Sequence, residues 1–281
     1  MRRRALCAAL LALVAPVAAS AGEPALRFER EGVLVREIDL QALRAACNVE
    51  EVEVAEDPYY ARAKRFRACP LTEVLALGFG APVSRLRGEQ FFLRARDGYV
   101  KPASGERMLE AGGYVAFADA DRAVAGELGW EPIDRRQVDP GPFYLVWTGP
   151  GQNDLHRYPW PYQLVAIEIA PFESRYPHTA PRGEPISSPA WAGFAIFGRE
   201  CIACHAINGE GGTVGPELNL PRSIVEYRPA EQIRAFVRDP ESFRYTSMPP
   251  HRHLSAAQLD ALIAYFEAMK TRKHDPRSTS P

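Results

Sequence analysis

The chain has 281 residues, enough for about two domains of ordinary size. With 46% hydrophobic and 25% charged residues it falls among folded globular chains, which excludes a disordered one. A formal net charge of -1 gives no basic balance of the kind that nucleic acid or an anionic membrane surface attracts.

The first residues read as a targeting segment. Arg2, Arg3 and Arg4 precede an apolar run from Ala5 to Ala19, and Ala19-Ser20-Ala21 fits the small-x-small cleavage rule. The run is too short to span a bilayer. The expectation is export to the periplasm with cleavage after Ala21, and no integral membrane segment afterwards. The alternative is an uncleaved anchor. Cys7 leaves with the peptide, so Cys47, Cys69, Cys201 and Cys204 remain. In an oxidising compartment Cys47 and Cys69 are expected to form a disulfide. Two free buried thiols or a metal role are the alternatives for that pair.

Residues 22–170 read as one α+β domain, mostly β. Asp39 to Ala46 and Leu71 to Leu77 are expected helices. Glu51–Val54, Phe91–Ala95, Tyr114–Phe117, Phe143–Trp147 and Leu164–Ile169 are expected strands, rich in β-branched or aromatic residues. Residues 171–187 read as a proline-rich linker running over the surface. A loop lying over the first domain is the other reading. His156 and His178, near this stretch, read as surface residues.

Residues 188–270 read as an all-α domain. Ser188 is placed to cap a helix that has Pro189 at its first position. That helix leads into Cys201-Ile202-Ala203-Cys204-His205. A C-x-x-C-H run reads as a c-type haem attachment site: two thiols bond the porphyrin edge and the adjacent imidazole ligates the iron. A thioredoxin-like pair would need a strand-helix-strand setting, and half a zinc site would need a second ligand pair. A glycine-rich loop follows, ending at Gly215-Pro216. Arg228-Pro229 opens a second helix, which Pro240 ends.

Met248 then sits before Pro249 and Pro250, in a stretch that the prolines hold extended. It is the expected second axial ligand, with His251 and His253 as competitors that would give a bis-histidine haem. Ser255 and Gln258 form a capping box for the last helix, and Leu254 can staple to Leu259. Leu259, Leu262, Ile263, Phe266 and Met269 share one face. That face is expected to pack on the helix before Cys201, at Gly193 and Phe197. Residues 271–281 read as a flexible tail.

Two resemblances follow. Pro189 to Met269 resembles a class I cytochrome c domain: a glycine- and aromatic-bearing helix before Cys-x-x-Cys-His, a Gly-Gly-x-x-Gly-Pro-x-Leu loop from Gly211 to Leu218, a Ser-Met-Pro segment and an aromatic-bearing last helix. The resemblance implies one covalently bound haem c, Pro216 against the haem, and a backbone carbonyl orienting His205. Arg67 to Leu75 with its Cys69-Pro70-Leu71, then Asp97-Gly98-Tyr99, Gly112 to Phe117 and Gly141 to Val146, resembles the molybdopterin-binding domain of sulfite-oxidase-type oxidoreductases. There the metal-ligand cysteine precedes a Gly-Asn-rich stretch. Here Cys47 precedes Asn48-Val49-Glu50-Glu51, so the expectation is a degenerate relative without molybdopterin. The reading is an electron carrier with no catalytic residues, whose N-terminal domain docks a redox partner protein. The alternatives are a two-centre molybdopterin/haem oxidoreductase acting on a small substrate, and a haem peroxidase or sensor.

Overall fold

A short apolar-charged alternation does not by itself say which strands pair, and in the N-terminal half the pairing is long-range. The computed structural model describes residues 23–124, 129–133 and 136–279. The targeting segment, its cleavage after Ala21 and Cys7 lie outside the described residues.

The N-terminal half begins with β1 (Ala25–Arg30), β2 (Val33–Asp39), α1 (Leu40–Ala46), β3 (Glu50–Asp57), β4 (Arg62–Pro70) and α2 (Leu71–Phe79). It continues with β5 (Gln90–Ala95), β6 (Val100–Ser104), α3 (Gly105–Met108), β7 (Gly113–Asp119), α4 (Ala120–Val124), β8 (Tyr144–Trp147) and β9 (Leu164–Ile169). Two sheets result. One runs β2-β1-β9-β5-β6 and the other β3-β4-β7-β8. The pairing of β1 with β9 is parallel and brings the start and end of this half together. Phe28, Phe66, Phe91, Tyr144, Trp147 and Trp160 fill one core with α2. Asp39 caps α1, its carboxylate accepting from the Ala42 amide at 2.7 Å.

The five expected strands and two expected helices are present, and the sequence reading missed β1, β2, β4 and β6. β2 is exposed at six of its seven residues and so carries no buried stripe. β4 hides its pattern behind cations. Its Lys64 is fully buried and donates to Asp119 at 2.8 Å and Glu131 at 3.0 Å.

The C-terminal half is helical: α5 (Phe172–Arg175), α6 (Pro189–Glu200), α7 (Ala230–Arg238) and α8 (Ala256–Met269). Its one departure from an all-α reading is a two-residue ladder, β10 (Ala206–Ile207) with β11 (Glu210–Gly211). Asn208 and Gly209 make the hairpin turn with positive φ at both, 58° and 76°. α8 packs on α6 as expected. A Cβ at Gly193 would lie 2.0 Å from the Ala261 carbonyl oxygen, so only glycine allows this approach. The capping box of Ser255 and Gln258 is formed. Ser188 stands at the N-cap of α6, but its hydroxyl makes no cap bond, which corrects that part of the reading.

Of the two readings of the proline-rich stretch 171–187, its contacts fit the loop lying over the first domain, with most of its residues still facing solvent. Tyr176 and Thr179 are buried, and the Tyr265 hydroxyl donates to the Thr179 carbonyl at 2.7 Å. The second core joins Phe92 and Val100 of the sheet to Tyr176, Phe197, Tyr265 and Phe266, so the two halves share it. The first residues of the stretch 271–281 make two ion pairs. Arg272 pairs with Glu184 at 2.7 Å, and Lys273 with Glu226 at 2.6 Å. No helix among the described residues is long and apolar enough to cross a membrane.

Candidate functional site

α6 delivers the C-x-x-C-H run directly. The Cys201 amide closes the helix on the Phe197 carbonyl at 2.9 Å, and the His205 amide returns to the Cys201 carbonyl at 2.9 Å. This turn sets both thiols and the imidazole within five residues of one loop. Cys201 is buried, Cys204 is half-buried, and neither is in a disulfide. Burial pushes the Cys201 thiol up to about 12 and the Cys204 thiol to about 11. Reactive thiolates sit in electropositive surroundings that lower the thiol pKa, and burial here acts in the opposite direction.

His205 is held by the loop that follows. Its Nδ1 lies 2.8 Å from the Pro216 carbonyl oxygen. A carbonyl only accepts, so Nδ1 carries the proton and Nε2 is the nitrogen left for a metal. Burial lowers the pKa of this imidazole, which keeps it neutral and ligand-ready. Gly215 lies flat against the ring: a Cβ there would meet His205 Cε1 at 2.5 Å. The loop is pinned behind it. The Glu217 carboxylate accepts from the amides of Gly209 at 2.8 Å, Asn219 at 2.6 Å and Leu220 at 3.0 Å. Asn219 donates to Asn208 at 2.8 Å and to the Met269 carbonyl at 2.9 Å, tying the loop to the end of α8. Two unpaired thiols, a carbonyl-oriented imidazole and a glycine against its face suit a covalently attached haem.

The structure thus brings together Cys201, Cys204, His205, Gly215 and Pro216. Met248 is half-buried against the second core. Its amide donates to the Thr246 hydroxyl at 3.1 Å. His251 and His253 turn toward Glu200, the residue before Cys201. His251 Nδ1 is 3.8 Å and His253 Nε2 is 3.3 Å from the Glu200 carboxylate. The expected disulfide joins Cys47 to Cys69, with Cα atoms 5.8 Å apart.

Sequence reasoning missed how the N-terminal half covers the attachment loop. The Val100 amide donates to the Ala203 carbonyl at 2.9 Å, and the Thr213 amide to the Gly98 carbonyl at 3.0 Å. Burial raises the Tyr99 hydroxyl well above its ordinary value, with Tyr59 and the Cys204 sulfur adding to the effect. Tyr59 stands edge-on to Tyr162 at 5.3 Å. The signal available was the Asp97-Gly98-Tyr99 turn, which puts Tyr99 and Val100 at the edge facing Cys204.

Comparison with known proteins agrees with this geometry. Residues 190–270 match the model of the cytochrome c family. A cytochrome c oxidase subunit 2 from Alkalihalophilus pseudofirmus is 30% identical over 118 residues, covering 39% of this chain and 34% of that protein. The chain therefore spans about a third of that relative's length. The β-rich N-terminal half is followed by a cytochrome c domain, a haem-based electron-carrier module that holds its haem c covalently.

Proposed function

We propose that the protein is an exported, periplasmic mono-haem electron carrier in which His205 and Met248 ligate the iron and the N-terminal half selects a redox partner. The observation that carries this reading is the 2.8 Å contact between His205 Nδ1 and the Pro216 carbonyl, which fixes the tautomer and aims Nε2 away from the loop. When bound, the haem supplies one-electron cycling between ferrous and ferric iron. Cys201 and Cys204 would hold its edge, the Pro216 carbonyl holds the imidazole proton, and Ile202 beside the thiols is fully buried.

Met248 is favoured over the two histidines because both of their rings face Glu200. A thioether ligand raises the potential relative to a second imidazole. Were His205 and Met248 both to hold the iron, no position would be left for peroxide, so we read no peroxidase chemistry. The degenerate molybdopterin reading is supported by the Cys47–Cys69 disulfide: both sulfurs are bonded to each other, and neither offers the thiolate that a sulfite-oxidase-type centre takes from cysteine. Encounters with the partner are then small and transient, as redox complexes generally are.

Two measurements test this. Protein made in an export-competent, haem-maturing host supplied with molybdate should contain one iron and no molybdenum. Equal iron and molybdenum would establish a two-centre oxidoreductase instead. Met248→Ala should abolish the weak near-red sulfur-to-iron charge-transfer band of the oxidised protein and lower its potential. A surviving band with an unchanged potential rules Met248 out as ligand.

A further inference from the structure

Three segments distant in sequence meet beside the attachment loop. His156 comes from the loop after β8 in the N-terminal half. Glu200 is the last residue of α6. His251 and His253 follow the Met248-Pro249-Pro250 stretch. One ligand atom from each of the four lies within 4.8 Å of every other.

Ordinary ion pairing leaves this cluster incomplete. Glu200 is almost wholly buried, with 4% of its side chain exposed. Arg199 takes one oxygen, Oε1, at 2.6 Å. The other, Oε2, faces three imidazoles: His156 Nδ1 at 3.1 Å, His253 Nε2 at 3.3 Å and His251 Nδ1 at 3.8 Å. The first two are within contact distance. The third is not, and His251, with 6% of its side chain exposed, has an Nδ1 that finds no hydrogen-bond partner. A buried, unpaired ring nitrogen aimed into a group of two imidazoles and a carboxylate oxygen is a vacant ligand, and three nitrogens with one oxygen form a familiar tetrahedral donor set for zinc.

We propose that His156, Glu200, His251 and His253 form a binding site for a divalent zinc-class cation that fastens the N-terminal half to the segments on either side of the haem. A tetrahedral centre with bonds of about 2.0–2.2 Å places its ligand atoms about 3.3 Å apart. The widest separation here is 4.8 Å, so the ion draws the side chains inward without moving the backbone far. Zinc has no redox chemistry of its own, so the ion acts as a tie and not as a second electron centre. It reaches the segment carrying Met248 three residues before His251. It also reaches the residue next to Cys201. This site rests on the reading that Met248, and neither His251 nor His253, is the second ligand of the haem iron; the Met248→Ala spectrum tests that reading separately from the zinc titration.

The test uses tag-free, full-length holoprotein, stripped with EDTA, desalted and titrated with zinc chloride by calorimetry, with metal content measured after dialysis. One zinc per haem iron is expected. His156→Ala and His253→Ala, both at partly exposed positions, should each weaken binding at least tenfold, and the double variant should retain no zinc, with the haem spectrum unchanged. His178→Ala, at a separate histidine pair, should bind as the parent does. Absence of stoichiometric zinc, or undiminished binding in the double variant, overturns the proposal. Should the double variant lose its haem spectrum, zinc-edge absorption of the parent decides. A shell of nitrogen and oxygen carrying imidazole scattering is expected. A shell of water oxygens or of sulfur overturns the site.

Discussion

The crossing of α6 and α8 is tight at one residue, and a pair of substitutions on α6 isolates that fact. At Gly193 an added Cβ would sit 2.0 Å from the Ala261 carbonyl oxygen and 2.7 Å from Tyr265 Cβ. Both are parts of α8 that do not swing away as a side-chain tip does. At Gly198, five residues on, the same Cβ would meet only the Phe172 ring edge at 3.4 Å. Replacing glycine by alanine inside a helix favours folding by about 1 kcal/mol through the backbone. Gly198→Ala should therefore hold stability or raise it by up to that amount. Gly193→Ala receives the same gain but must part the helices by about 1 Å, and overpacking of this kind costs about 3 kcal/mol at its upper range. The net expectation is a loss of about 2 kcal/mol. For a chain of this size it corresponds to about 4–8 °C in melting temperature. Thermal unfolding of the two holoproteins, followed by circular dichroism and by the haem absorbance, measures it. If Gly193→Ala melts at or above Gly198→Ala, the close-approach argument is wrong.

Three further expectations come from other parts of the molecule. Gly215→Ala puts a methyl 2.5 Å from the His205 ring, so it should displace the imidazole from Pro216 and alter the haem spectrum and potential; an unchanged spectrum would show that the ring does not lie where it is placed. Replacing both Cys47 and Cys69 by alanine frees a closure spanning 22 residues and should cost about 3 kcal/mol in denaturant unfolding, against no effect of reductant on the double variant. Asp57 is buried, and burial outweighs the bonds from the Tyr59 and Tyr60 amides and the Tyr144 hydroxyl, so its pKa is raised. A carboxyl with a raised folded-state pKa contributes stability that is present below the unfolded value, about 3.8, and is lost as pH rises through the folded one. The stability of Asp57→Asn relative to the parent should thus improve as pH rises above 3.8 and then level off; a difference independent of pH contradicts the shift.

What could be read from the chain before folding was what is local. Cys201, Cys204 and His205 fall within five residues because one turn must present them to one flat ligand. The capping box at Ser255, the helix end at Pro240 and the apolar face of α8 are likewise set within a few residues. Even Gly193 against α8 was legible, since a buried face needs a partner and a glycine marks a close one. The sheets were only half legible. β2 shows no buried stripe, and Lys64 in β4 looks like surface until Asp119 and Glu131 are brought to it from far along the chain. The proline-rich stretch left two readings open because prolines report backbone stiffness and say nothing of what lies beside them; the shared core of Phe92, Val100, Tyr176 and Phe197 lays it over the first domain. His156, Glu200, His251 and His253 were least legible of all. As single residues the three histidines read as a surface group and two rival haem ligands, Glu200 drew no reading, and a ligand set drawn from three segments has no spacing to recognise. Such a set exists only once long-range packing has brought its members within reach of one another.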